Sequence, residues 1–89
     1  MDNMQFISIC INEVIRYWND GETKIGHEDV YVVWLNRTLG NNKALLATTK
    51  DDGLYFELTY NGDKKELYFD CYKKQSNYCI PMSRPGVID

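Results

Sequence analysis

The sequence predicts an α+β fold: an N-terminal helix packed on a four-stranded antiparallel β-meander, followed by a short C-terminal extended arm. Two patterns and one limit carry that prediction. Apolar residues recur at steps of three and four over residues 3–19, the spacing that lines one face of a helix. From Val30 onward, β-branched and aromatic residues come in short runs broken by turn residues, as antiparallel strands do. The limit is size, because a chain of 89 residues buries only about 60% of its unfolded surface and supports one core. Residues 1–89 therefore read as a single domain, with 3–19 as helix, 30–72 as sheet and 73–89 as a C-terminal segment.

The helix is expected to bury Met4, Ile7, Ile11, Val14, Ile15 and Trp18, with Phe6, Ile9 and Cys10 widening the stripe. Asp2 stands in capping-box register with Gln5, and Gly21 suits a left-handed exit. A stripe this wide needs partners on more than one side. Residues 20–29 are polar and without periodicity, and read as a loop.

Four strand-like runs follow, about Val30–Arg37, Lys43–Thr49, Leu54–Tyr60 and Lys65–Tyr72, punctuated by Gly40-Asn41-Asn42, Asp51-Asp52-Gly53 and Asn61-Gly62-Asp63. Connections this short join only neighbouring antiparallel strands, which makes the sheet a meander. In the last hairpin a two-residue Asn61-Gly62 turn would oppose Glu57 to Glu66, a like-charge pair. A four-residue loop over residues 61–64 instead sets Leu58 against Leu67, Phe56 against Phe69 and Leu54 against Cys71, and that register is expected. The opposite face then carries Tyr55, Glu57, Tyr68, Asp70 and Tyr72.

Carried back through the earlier strands, the alternation puts Val30, Val32, Trp34, Leu45 and Ala47 on the core face and Tyr31, Val33, Leu35, Ala44 and Leu46 on the other. That second face is apolar, so a cover is expected over Tyr31, Val33, Leu35 and Leu46. A homodimer and the tail from Cys79 to Asp89 are the candidates. Pro81 and Pro85 rule the tail out as a central strand, and its few large apolar groups favour the dimer.

Ten Lys and Arg against thirteen Asp and Glu leave a net charge of −3 and a pI near 5.0, the wrong sign for gripping phosphates, so nucleic acid is not an expected partner. No apolar run reaches the length of a bilayer span, and the first residues lack the basic region of a secretory signal, so no membrane role and a cytoplasmic location in the host cell are expected. Cys10, Cys71 and Cys79 are too few and too widely spaced for a disulfide framework, and read as free thiols.

Within Asp29–Lys74, the segments DVYVVW, NNKALLATT, DGLYFELTYNGDKKELYFD and the following YKK resemble a family of small phage and prophage proteins of Gram-positive bacteria, classed only as a domain of unknown function. The resemblance implies a viral, cytosolic setting. It brings no established activity, catalytic residue or cofactor.

The residues themselves point to binding rather than catalysis. His27 has no second histidine with which to build a metal site and reads as a solvated loop residue. Cys71, expected between Leu54 and Phe69, lacks an activating base and reads as a buried thiol. No serine elbow and no phosphate-binding glycine pattern occurs. No enzyme, metal or cofactor is therefore expected. The cluster of Tyr55, Glu57, Tyr68, Asp70 and Tyr72 suits a partner-binding face, since tyrosine offers rigid contact area with a polar tip, although tyrosines are also good strand residues. Lys64-Lys65 and Lys73-Lys74 are either guards of an edge strand or partners for phosphate.

Two functions compete. The first is a phage accessory protein that inhibits a host protein, such as a defence enzyme, through the acidic, tyrosine-rich face. The second is an oligomeric protein that sequesters a small anionic metabolite or nucleotide.

Overall fold

The computed structural model describes residues 1–21, 24–50 and 52–82. Helix α1 (Asn3–Asn19) is followed by a 3-10 turn (His27–Asp29) and strands β1 (Val30–Thr38), β2 (Asn41–Thr48), β3 (Leu54–Asn61) and β4 (Glu66–Lys73). The strands form one antiparallel sheet in the order β1-β2-β3-β4, the expected meander. Residues 83–89 of the expected arm lie outside the described residues.

Asp2 starts α1 through a capping box: its carboxylate accepts from the Gln5 amide at 2.8 Å, and the Gln5 side chain accepts from the Asp2 amide at 3.3 Å. The far end differs from expectation. Asp20 caps it in the right-handed region and Gly21 is not left-handed. The terminal carbonyls find other donors, with the Lys24 ammonium donating to Asn19 O and the Gly21 amide to Trp18 O, so no left-handed residue is needed.

One cluster forms the core: Phe6, Cys10 and Val14 from α1, Ile25 and Val30, Ala44 and Leu46 from β2, and Phe56 and Leu58 from β3. Ile25 comes from the stretch that reads as a polar loop; a single apolar residue has no period by which to be recognised. The loop is tied down by Asp29, whose carboxylate accepts from the Gly26 amide at 3.0 Å and the Thr49 hydroxyl at 3.1 Å. At the other end of α1, the buried Asn42 side chain donates to the Met1 carbonyl at 3.5 Å.

The β1–β2 turn is Leu39-Gly40, both with positive φ (43° and 85°), the requirement of the two-residue turn that matches strand twist. Gly62 meets it from the β3–β4 turn: a Cβ there would lie 2.5 Å from the Gly40 carbonyl oxygen.

Two expectations about the sheet are corrected, one of facing and one of register. The register of β1 on β2 shifts between Val32 and Trp34, leaving Val33 as a bulge. An inserted residue reverses the in-and-out alternation beyond it. Trp34 therefore stands opposite Leu45 on the outer face, while Leu35 stands opposite Ala44 on the helix side. Ala44 and Leu46, expected outside, are in the core at 0% exposure.

The second correction concerns β3 and β4. Their loop is Gly62–Lys65, not 61–64, so Phe56 opposes Cys71 and Leu58 opposes Phe69. The Asn61 side chain explains it by accepting from the Asp63 and Lys64 amides, while Lys65 takes φ 55° to close the loop. The slip is two residues, so the faces are as expected. Phe56 and Phe69 still meet, diagonally, with ring centroids 5.7 Å apart.

A candidate partner-binding face

The five residues singled out for binding come together on the sheet face opposite α1. Tyr55 opposes Tyr72, Glu57 opposes Asp70, and Thr59 opposes Tyr68. Tyr68 and Tyr72 are about half exposed. Two carboxylates in directly opposed positions repel each other, and Lys43 on β2 compensates by reaching Glu57 at 3.5 Å. Asp70 makes no ion pair among the described residues. The charge is felt nearby: Asp70 first, then Glu57, holds the Tyr72 phenol above its ordinary pKa.

The face is wider than the sequence reading made it. Leu45 lies opposite Glu57, and Trp34 opposite Leu45, so an indole and a leucine continue the acidic row toward β1. Leu45 and Trp34 were missed because each was assigned by an alternation that the Val33 bulge interrupts, and Lys43 because no face was assigned to it. The continuous apolar run from Val30 to Leu35 carries no polar residue to mark the reversal.

At the end of this face, Tyr31, Ala47, Tyr55, Lys50 and Lys74 line a polar pocket of about 160 Å³. The Lys74 ammonium lies 5.8 Å from the Tyr55 ring centroid, within cation–π range. Asp52, also in the lining, accepts from the Leu54 amide at 2.8 Å and the Thr48 hydroxyl at 3.4 Å. Lys64 and Lys65 lie at the opposite end of the hairpin, a strand length of about 25 Å away, and cannot share an anion with Lys74.

The expected dimer patch does not form as one surface. Tyr31 is outward and Val33 is the exposed bulge residue, but Leu35 is on the helix side and Leu46 is fully buried. Cys71, expected to be buried, is exposed because α1 leaves most of β4 uncovered, and its thiol donates to the Tyr17 hydroxyl at 3.7 Å. Tyr17 also covers Phe56 and Phe69, at centroid distances of 5.3 and 5.8 Å. His27 is exposed at the rim of an apolar groove on α1.

Among the described residues, no group of three or more His, Cys, Asp or Glu side chains is placed to hold a metal ion, and no helix is long and apolar enough to cross a membrane. A family described as being of unknown function, DUF6275, matches residues 7–82. No curated protein and no solved structure matches the chain.

Proposed function

The chain belongs to the DUF6275 family of unknown function, and from that footing we propose that it is a non-enzymatic binding module whose outer sheet face occupies a basic surface on a host protein. The observation that supports this is the directly opposed pair Glu57 and Asp70, flanked by half-exposed Tyr68 and Tyr72 and compensated by one lysine. A partner's arginine or lysine placed there would relieve the repulsion and lie against tyrosine rings, the pairing that aromatic and charged hot spots use. The resemblance to phage and prophage proteins supplies the setting: an accessory protein in the host cytoplasm that inhibits a host protein, with a defence enzyme as the target class.

The test is affinity capture from host cells with the wild type, Tyr72→Ala and Asp70→Lys, all shown to fold alike. A host protein retained by the wild type, released by salt and lost with both variants is the expected result. An identical set of proteins with all three would overturn the reading.

The pocket of Tyr31, Tyr55, Lys50 and Lys74 favours a second reading, sequestration of a small anion. Its volume suits a phosphate-sized group, with Tyr55 as a stacking wall. A melting-temperature rise with phosphate or a nucleotide, abolished by Lys74→Ala, would select it over the first.

A further inference from the structure

By turning Trp34 outward, the Val33 bulge completes a row of four directly opposed residues, one from each strand. Trp34 on β1 meets Leu45 on β2, Leu45 meets Glu57 on β3, and Glu57 meets Asp70 on β4. With neighbouring strands about 4.8 Å apart, the row is about 14 Å long. One end is an indole, 38% exposed, beside a half-buried leucine; the other is a pair of carboxylates. A single straight element crossing the strands reaches all four.

The acidic end favours a flat cation. Lys43 already brings an ammonium to Glu57 at 3.5 Å, while Asp70 has no ion pair among the described residues. What the pair lacks is a cation that serves both carboxylates at once. A guanidinium does so with donors along two edges, whereas an ammonium is a compact, strongly hydrated point charge. Tyr68 and Tyr72 stand two residues to either side of Asp70 on the same face of β4, each about half exposed. Their rings offer the stacking surface that a guanidinium uses and an ammonium uses less well.

The apolar end sets a distance. From the middle of the Glu57–Asp70 pair to the middle of the Trp34–Leu45 pair is two strand spacings, about 9.6 Å. Same-side residues of an extended chain recur at about 6.8 and 13.6 Å, and neither matches. Residues i and i+7 of an α-helix share a face and lie about 10.5 Å apart along the axis. The carboxylates also favour the positive N-terminal end of a helix, which puts the cation before the apolar residue. We propose that the partner element on this face is an amphipathic helix lying across the strands, with an arginine in its first turn over Glu57 and Asp70 and a large apolar side chain seven residues later over Leu45 and Trp34. Resting on the basic partner proposed above, the helix specifies which cation is recognised and which secondary structure carries it.

The probes are fluorescein-labelled helical peptides of about 15 residues on an alanine and glutamine background, titrated with the full chain at low salt and read by anisotropy. One carries arginine in the first turn and leucine seven residues later; a second replaces the arginine by lysine; a third moves the leucine to five residues after the arginine, off the shared face. The first should bind at least tenfold more tightly than either of the others. Asp70→Asn should abolish the preference for arginine, and Trp34→Ala the dependence on where the leucine stands. Asp63→Asn, which removes the same charge from the β3–β4 turn, should leave every affinity unchanged. The peptide comparison uses the wild-type chain and does not depend on any variant folding. Equal binding of arginine and lysine, or of the two leucine positions, would overturn the proposal. If that binding were still lost with Asp70→Lys, the basic-surface reading would stand without the helix; no binding by any of the three peptides would overturn both.

Discussion

Glu57 and Asp70 face each other directly across the β3–β4 ladder, two carboxylates on one exposed sheet face with Lys43 bonded to only the first. The arrangement is costly for the isolated protein, since like charges opposed across strands destabilise the pair. Asp70→Asn should therefore raise stability by about 0.2–1 kcal/mol in urea unfolding, while weakening capture of the basic partner. Lys43→Met should do the reverse to stability, by exposing Glu57 to uncompensated repulsion. If Asp70→Asn destabilises, the carboxylate has a stabilising contact and the reasoning about this face fails.

The aromatic layer beneath α1 gives a graded prediction. Phe56 is fully buried, whereas Phe69 is half-buried at the uncovered β4 side. Phe56→Ala should cost about 3–5 kcal/mol, close to the whole stability of so small a domain, and Phe69→Ala about 2 kcal/mol because less area leaves water. Equal losses in chemical denaturation would mean that α1 covers β4 as fully as β3.

The three thiols should separate by reactivity. Burial, and then the Glu13 carboxylate, push the Cys10 thiol up from 9.0 to about 12, while Cys71 and Cys79 are exposed. A thiol-specific reagent should modify two cysteines in the native protein and the third only on unfolding. The same shift has a stability consequence. The folded state holds the proton more tightly than the unfolded chain, so this contribution is complete below about pH 9 and is lost as pH rises toward 12. The urea midpoint should fall more steeply over that window in the wild type than in Cys10→Ala. Parallel slopes would place Cys10 in contact with water.

Asp29 predicts the opposite window. The Gly26 amide first, and then the Thr49 hydroxyl, hold its carboxyl below the ordinary value of 3.8. A depressed pKa contributes stability above the unfolded value and loses it as pH falls through the folded one. Asp29→Asn should melt lower than the wild type at neutral pH, and the gap should close on acidification. A gap that persists at acid pH would show that the side chain's shape, rather than its charge, ties the loop to β2.

These particulars show what was legible in the sequence. The helix and its Asp2 cap, the four strands and the meander follow from periodicity and turn residues, which are local properties. The faces of β3 and β4 were legible too, because the two-residue slip in register preserves parity. The facing errors in β1 and β2 depended on one residue. Val33 reverses the facing of everything beyond it in β1, and β2, read from the same alternation, was turned over with Ala44 and Leu46 on the wrong side. A bulge in an all-apolar run leaves no polar residue out of phase to reveal it. Of the binding cluster, all five residues share a face as expected, while Lys43, Leu45 and Trp34 became visible only once the pairing was known.

The same bulge bears on how molecules of this protein behave in a crowded solution. β1 is an outer strand of nine residues, long enough for its free amides and carbonyls to recruit a strand from a neighbour and begin an open-ended stack. Val33 breaks the regular spacing of those groups in mid-strand, and Lys64, Lys65 and Lys73 place charge along the other outer strand, β4, and its turn. Sheet growth by strand addition is thereby blocked on both sides. A concentrated sample should then form particles of a single defined size without fibrillar thioflavin binding, and removal of Val33 should be the shortest route to fibres.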